Sequence, residues 1–507
     1  MAVQTQDPPQ AKRSGIRRGF TLITAIVCFG LLGYLLFQIV HQFVVPPPPH
    51  RLILLQDVPL PSGMPLLPDG SPSRTEEQSL AKGTDPRALA PGVQEDFDGF
   101  DFQAYDKDLN LLFVAHTGPT PDFVPGFDPK LDAPFDGHII VFNTQLNKIV
   151  GRIAVPQVAG MIYVNDPSHG LDKVFAADAQ DNYIAVIDPH TLKVTSMIQL
   201  QDNESPDAMV YDPDAGKLFV SDPGTAVNPI TPDNPKGDNN TDRNNENIAV
   251  IDAVHDMLMM PPYINLGNID LLPGENVRPA DMLPLIADTR LGHAGKFIPK
   301  FGHDVGHAQY YNGFIYVTSQ VLPDANNMDP FFLPPAGTGE LFQINAANLQ
   351  IVNEIDLPVT CSTPHGFAID ASRHTGYIAC TDAASSNSGR NLFENLVRVD
   401  LGDPAAMKVI PTDPKQTRLQ GGPDIVRIDK DPDPKSNIDV LFVACNAGIS
   451  IFDITPNKFR KLGDEIVGKG THTLAVDPDT QTVYLPIVIG GRPVLRIVRY
   501  NPNGQSL

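Results

Sequence analysis

Seven times along this 507-residue chain, a strand-like run ends in Asp or Asn, turns, and continues into a second run rich in Val, Phe and Tyr. The instances are DFQAYD with LLFVAHT, MIYVND with KVFAAD, DAMVYD with KLFVSD, HAQYYN with FIYVTS, HGFAID with GYIACTD, DIVRID with VLFVACN, and HTLAVD with TVYLPI. Most units continue into a third strand of the type IAVID (Ile248 to Asp252; also Ile184 to Asp188) and a fourth such as QIVNEIDL. Four short antiparallel strands make a sheet too small to bury both of its faces alone. Radial packing of such sheets solves the problem, which gives a β-propeller.

The strand-ending residues Asp106, Asp166, Asp212, Asn312, Asp370, Asp429 and Asp477 are 60, 46, 100, 58, 59 and 48 residues apart. The interval of 100 does not hide an eighth unit. Residues 223 to 246 are rich in Asn, Asp and Pro, and 271 to 300 lack a strand-turn-strand pattern, so both read as insertions on loops. The last unit shows only three strands. RLILLQDVPL, Arg51 to Leu60, is the strand-like segment that precedes the first unit, and as a fourth strand it would close the circle and remove open edges. The competing reading makes it part of a juxtamembrane stalk. With 50 Pro and 40 Gly, long helical bundles are disfavoured. The chain has no Trp, which excludes blades built on a repeated tryptophan.

No Asp, Glu, Lys or Arg occurs from Gly19 to Pro49, and the apolar stretch from Phe20 to Val45 exceeds the roughly 20 residues that span a bilayer as a helix. Lys12, Arg13, Arg17 and Arg18 precede it, so the positive-inside rule keeps the N-terminus cytoplasmic and sends the remainder outside. A cleavable signal peptide would have a shorter apolar region and a small-residue cleavage site. Cys28, preceded by Ile26 and Val27, is a poor lipoprotein site and reads as a bilayer residue. The expected organisation is a cytoplasmic segment 1–18, a signal-anchor helix 19–45, a Pro-rich stalk and linker 46–94 that contains the strand-like 51–60, and the seven-bladed propeller 95–507. Pro46 to Pro49 favour stiff polyproline II.

Lys12, Arg13, Arg17 and Arg18 against Asp7 leave +3 in the first 50 residues, so within a total of −22 the rest of the chain carries −25. Such a surface repels phosphate backbones, and nucleic acid is excluded as a partner.

Five residues before each strand-ending Asp or Asn stand Asp101, Met161, Asp207, His307, His365, Asp424 and His472. First strands line a propeller's channel, so equivalent positions form a ring at one level. The three imidazoles His307, His365 and His472 and the carboxylates Asp101, Asp207 and Asp424 are ligand types for a divalent transition metal, the cofactor this ring implies. The bland alternative is that short polar side chains here cap the turn entering the strand. His303, four residues before His307, would add a ligand or remain a surface histidine. His116, His138 and His169 receive no role. DNNTDRNNE, Asp238 to Glu246, has three alternate calcium-type positions, but Arg243 stands where an EF-hand turn needs Gly, so it reads as an ordinary loop.

The strings IAVIDPHTLKV, AGKLFVSD, TPHGFAIDASRHTGYIACTD and THTLAVDPDTQTVYLPI resemble repeats of the YVTN-type β-propeller family, which includes surface-layer and YncE-like proteins. The similarity covers roughly residues 95 to 501. It implies a seven-bladed propeller outside the cytoplasm, often with binding rather than catalytic roles. The anchor and the two long insertions depart from that pattern.

Cys361 precedes the first strand of the fifth unit and Cys380 closes its second strand, so antiparallel pairing brings the two together for a disulfide. Cys445, one blade on, is then left as a small core residue. Two functional readings follow. In the first, a membrane-tethered extracytoplasmic propeller, periplasmic or extracellular, presents loops 223 to 246 and 268 to 302 and its channel mouth to a protein, polymer or small-molecule ligand. In the second, the His/Asp ring makes the chain a metal-dependent lyase or oxidase. Glycine-rich phosphate loops, nucleophile elbows and HExxH helices are absent from the sequence, and fold alone transfers no activity.

Overall fold

The computed structural model describes residues 51–60, 99–117, 137–179, 181–200, 206–222, 247–266, 303–321, 339–358, 360–361, 363–381, 394–430, 439–446, 448–455, 458–468, 470–489 and 492–501. The expected anchor 19–45, Cys28, the loop 238–246 and both long insertions lie outside the described residues. Among the described residues, no helix is long and apolar enough to cross a membrane.

Seven four-stranded antiparallel sheets are present. The inner strands of blades 1 to 7 are Phe100–Asp106, Val158–Asp166, Met209–Asp212, His303–Tyr311, Thr363–Asp370, Pro423–Asp429 and Ala475–Asp477. Each inner strand contacts the inner strands of both neighbouring blades, and the seventh contacts the first. The circle is therefore closed, as the repeat requires. Blade 7 draws its outermost strand, Leu52–Pro59, from the start of the propeller sequence and pairs it antiparallel with Arg492–Tyr500.

The strand-ending Asp and Asn residues have a local cause. The carboxylates of Asp106, Asp166, Asp212, Asp370 and Asp477 accept hydrogen bonds from the backbone N–H of Leu109, Ser168, Asp214, Ser372 and Asp479 at 2.9–3.0 Å. The hairpin between the third and fourth strands repeats the device at Asn143, Asp188, Asp252 and Asn345. These Asx turns fix the chain reversal, so the side chain at each strand end is dictated by its own turn. Blade 4 differs: its inner strand ends at Tyr311, and Asn312 and Gly313 form the turn with φ of 53° and 83°. That is the Asn-Gly chemistry of a two-residue hairpin.

The middle strands are wholly buried, as Leu111–His116, Val440–Cys445 and Gly448–Asp453 illustrate, because neighbouring blades cover both faces. An aromatic residue sits at one register position of the second strand in every blade: Phe113, Phe175, Phe219, Tyr316, Tyr377, Phe442 and Tyr484, none more than 4% exposed. These rings fill the space between sheets in a chain without tryptophan. Across from them on the inner strands stand Ala104, Ile162, Val210, Gln309, Ala368, Arg427 and Ala475.

Strand direction gives the molecule two unlike ends. Inner strands run toward the Asx turns, and on that end the longest connection is between Asp429 and Val440. At the other end begin and finish the segments 61–98, 118–136, 223–246, 267–302, 322–338 and 382–393. Leu52–Pro59 starts at the turn end.

A disulfide joins Cys361 and Cys380, with Cα atoms 4.8 Å apart, and Cys445 is buried and free.

Candidate functional site

Just inside the end opposite the Asx turns, the inner-strand ladders slip register in five blades. The breaks fall between Phe100 and Gln103, Val158 and Met161, Val305 and Ala308, Pro364 and Phe367, and Pro423 and Val426. A bulge frees two residues from pairing and re-aims their side chains. The freed residues include Asp101, His307, His365 and Asp424, four of the six ring positions read from the sequence. His472 precedes the inner strand of blade 7, and Asp207 that of blade 3.

Glycines let neighbouring bulges approach. A Cβ on Gly366 would lie 1.5 Å from the Asp424 carbonyl oxygen, and one on Gly160 would lie 1.7 Å from that of Asp207. Hydroxyls from the second strands then tie one blade to the next. Thr117 donates to the Val158 carbonyl at 2.9 Å, Ser221 to that of Gly306 at 2.6 Å, and Thr318 lies within 3.2 Å of the His307 carbonyl and 3.4 Å of that of His365.

The ring condenses around Asp424. Its Oδ2 pairs with His472 Nε2 at 2.5 Å, while Oδ1 is 3.5 Å from His307 Nε2 and 3.9 Å from His365 Nδ1. Oδ1 accepts no hydrogen bond, although the Asp424 side chain is only 6% exposed. One ligand atom each from His307, His365 and Asp424 lie within 4.8 Å of one another, and so do those of Asp101, Asp424 and His472. Asp207 falls in neither group and acts through its charge on His472. Met161 contributes no ligand. The site is closed on one side by Phe102 of blade 1, whose ring lies 4.9 Å from that of His307 across the channel. His365 and His472 remain open to solvent, at 44% and 45%.

The electrostatics follow from this packing. Burial disfavours charge on His307 and holds it down to about 4, with Asp424 opposing and His365 and Arg427 adding to the depression. His472 goes the other way, to about 10, because the Asp424 carboxylate outweighs its desolvation. Burial would raise Asp424, but the His472 charge and hydrogen bond, with His307 and His365, leave it well below the usual carboxylate range. Asp101 is pushed up to about 6 by burial, partly offset by His472.

Ligands of a tetrahedral zinc ion, bound at 2.0–2.1 Å, stand about 3.4 Å apart. The His307–Asp424 spacing of 3.5 Å already matches, and that from His365 to Asp424, 3.9 Å, exceeds it by about 0.5 Å. His307, His365 and Asp424 can hold such an ion, while His472, hydrogen-bonded to Asp424 Oδ2, and Asp101 form a second group on the same carboxylate. Sequence reasoning did not single out Thr318, Phe102 or the bulge glycines. The signal for the glycines was present in the strings VAG, VGH and PHG beside the ring positions.

No family model matches the sequence, and no curated protein matches it. Among solved structures, a chain of Kuenenia stuttgartiensis hydrazine synthase superposes with a TM-score of 0.50 at 12% identity, covering 80% of this chain and 99% of that one. The Neurospora crassa Pan2 WD40 domain gives 0.45 at 11% identity over 81% and 92%, and the Dos1 propeller 0.43 at 9% over 80% and 94%. The likeness to hydrazine synthase concerns the fold alone.

Proposed function

We propose that this protein is a membrane-tethered, extracytoplasmic binding propeller whose channel holds one divalent transition-metal ion on His307, His365 and Asp424, with His472 hydrogen-bonded to the other oxygen of Asp424. The observation that carries the metal reading is Asp424 Oδ1, buried and without a hydrogen bond between two imidazole nitrogens at 3.5 and 3.9 Å. A buried carboxylate oxygen left in this way is costly unless a cation occupies the space between the donors. Bulges in three blades turn His307, His365 and Asp424 toward the channel, an arrangement that turn capping does not require. In blade 5 the capping is done at the other end of the strand, by Asp370.

The extracytoplasmic reading is supported by the Cys361–Cys380 disulfide, since such bonds persist in oxidising compartments. The tether rests on the uncharged segment Phe20 to Val45. Leu52 begins its strand at the turn end, whereas the channel cluster lies at the other end of the inner strands.

Protein purified without chelator is expected to contain one equivalent of transition metal by elemental analysis. The His307→Ala, His365→Ala, His472→Ala triple variant is expected to lose it while keeping a cooperative thermal transition. Metal-free wild-type protein that takes up no zinc on titration overturns the reading. A chain starting at residue 51 is expected to leave the membrane fraction; its retention there overturns the single tether.

A further inference from the structure

Arg427 interrupts a pattern that the other blades keep. At its register position, opposite the buried aromatic of the second strand, five blades carry Ala, Ile or Val and one carries Gln309. It is also the sole Lys or Arg in the seven inner strands. Its guanidinium donates to the Val426 carbonyl of its own strand at 3.1 Å, and it makes no ion pair with a carboxylate among the described residues. Burial works against its charge and lowers it to about 10, with Asp424 the one acidic group opposing that shift. Asp424, however, is hydrogen-bonded to His472 and makes no ion pair with Arg427. A partly buried guanidinium with donors to spare and no carboxylate of its own lacks an anion.

The space beside it has a definite size and lining. A pocket of about 190 Å³ is bounded by Arg427, Gln103, Tyr105, Ile428, Ala475 and Val476, with Pro478 at its edge. These residues come from the inner strands of blades 1, 6 and 7 and from the turn after the last of them. It is smaller than the roughly 300–1,000 Å³ of pockets for drug-sized ligands. Its walls are largely apolar, and Gln103 is already engaged with the blade 7 backbone at Tyr484. One guanidinium fork on an apolar pocket suits a carboxylate on a short carbon chain. A free phosphate would find too few donors.

Arg427 follows Asp424 by three residues on one strand, a separation of about 10 Å when extended and less across the bulge. The guanidinium charge acts on both Asp424 and His307. We infer that the channel is a two-point site for a small organic acid: Arg427 takes its carboxylate bidentately in the pocket with Tyr105, and a second oxygen of the acid completes the coordination of an ion on the His307–His365–Asp424 cluster. This rests on the metal reading above, and it names the ligand class for that site.

The test titrates zinc-loaded protein with malate by calorimetry, with lactate and citrate as shorter and longer acids and inorganic phosphate as control. Zinc affinity is read separately by chelator competition. Arg427→Gln is expected to weaken malate at least tenfold while leaving zinc affinity within twofold. Arg427→Lys, which keeps the charge but not the fork, is expected to weaken it three- to tenfold, and it carries the test if the Gln variant does not fold. Equal malate affinity in wild type and variants overturns the subsite, as does the absence of binding by all three acids. If zinc itself does not bind, the metal reading fails on its own measurement. Malate binding to metal-free protein that Arg427→Gln abolishes would then still uphold the carboxylate pocket, whereas its persistence would overturn that as well.

Discussion

The two ends of each inner strand carry similar residues in opposite situations. At the turn end, Asp212 accepts from the Asp214 N–H at 2.9 Å and Asp370 from that of Ser372 at 3.0 Å, so these carboxylates stabilise the reversal that their own chain makes. Asp429 departs from this rule: neither oxygen accepts a hydrogen bond, and burial pushes it up to about 7. At the bulge end, Asp424 does nothing for its own backbone and instead faces side chains of blades 4, 5 and 7. An aspartate bound to its turn is replaceable by anything that makes the same turn. One that collects imidazoles from three other blades is not.

The largest effect that separates these ends is expected from Asp424→Asn, which keeps the shape and removes the anion. Metal affinity, measured by chelator competition, is expected to fall by more than the roughly 10–100-fold typical of losing an outer-shell partner. An Asn variant that binds zinc like the wild type would make the bulge end as structural as the turn end.

Next comes the backbone beneath the site. Gly366→Ala places a Cβ 1.5 Å from the Asp424 carbonyl, so one of the two inner strands must move. Overpacking of this kind costs about 1–3 kcal/mol, and here it also displaces Asp424, so thermal stability and zinc affinity are expected to drop together. Gly313→Ala at the turn end has open space around it but a φ of +83°. It is expected to lower stability and leave zinc affinity unchanged.

A pH experiment on metal-free protein isolates His472. Its folded pKa is raised, from 6.5 to about 10, so its stabilising contribution is complete below about 6.5 and is lost as pH climbs through 10. Asp101, raised to about 6, and His307, lowered to about 4, have finished changing by pH 7, and Asp429, raised to about 7, contributes its remaining change equally to wild type and variant. The melting temperature is therefore expected to decline from pH 7 to 10 in the wild type and to decline less in His472→Ala. Parallel curves would remove the His472–Asp424 pair from the account.

How far the sequence discloses each end follows from the range of the interactions. The turn-end residues are legible because an Asx turn is decided within three residues; five of the seven strand-ending positions make one, and the recurring position gives the blade count and the spacing. Asn312 shows the margin of that approach: it aligns with the strand-ending aspartates yet sits in the turn itself. The ring position is legible as a column of His and Asp. What the column conceals is that Asp424 is the hub and that Asp207 falls outside both ligand groups, because that depends on which blades meet across the channel. Phe102 against His307 is a contact between blades 1 and 4 that no local pattern encodes. Arg427 becomes conspicuous only after the strand registers align it with Ala104, Ala368 and Ala475.

The smallest effect belongs to the turn end and tests the comparison from the other side. Asp212→Asn keeps an acceptor for the Asp214 N–H, so its stability is expected to remain near that of the wild type. Asp212→Ala removes the acceptor and is expected to cost about 0.5–1.5 kcal/mol, the net worth of one hydrogen bond. Both variants are expected to bind zinc as the wild type does, since Asp212 lies a whole inner strand away from the bulges. Loss of zinc in either would mean that the turns set the channel geometry from a distance, and the division between a capping end and a binding end would have to be replaced by a single coupled strand.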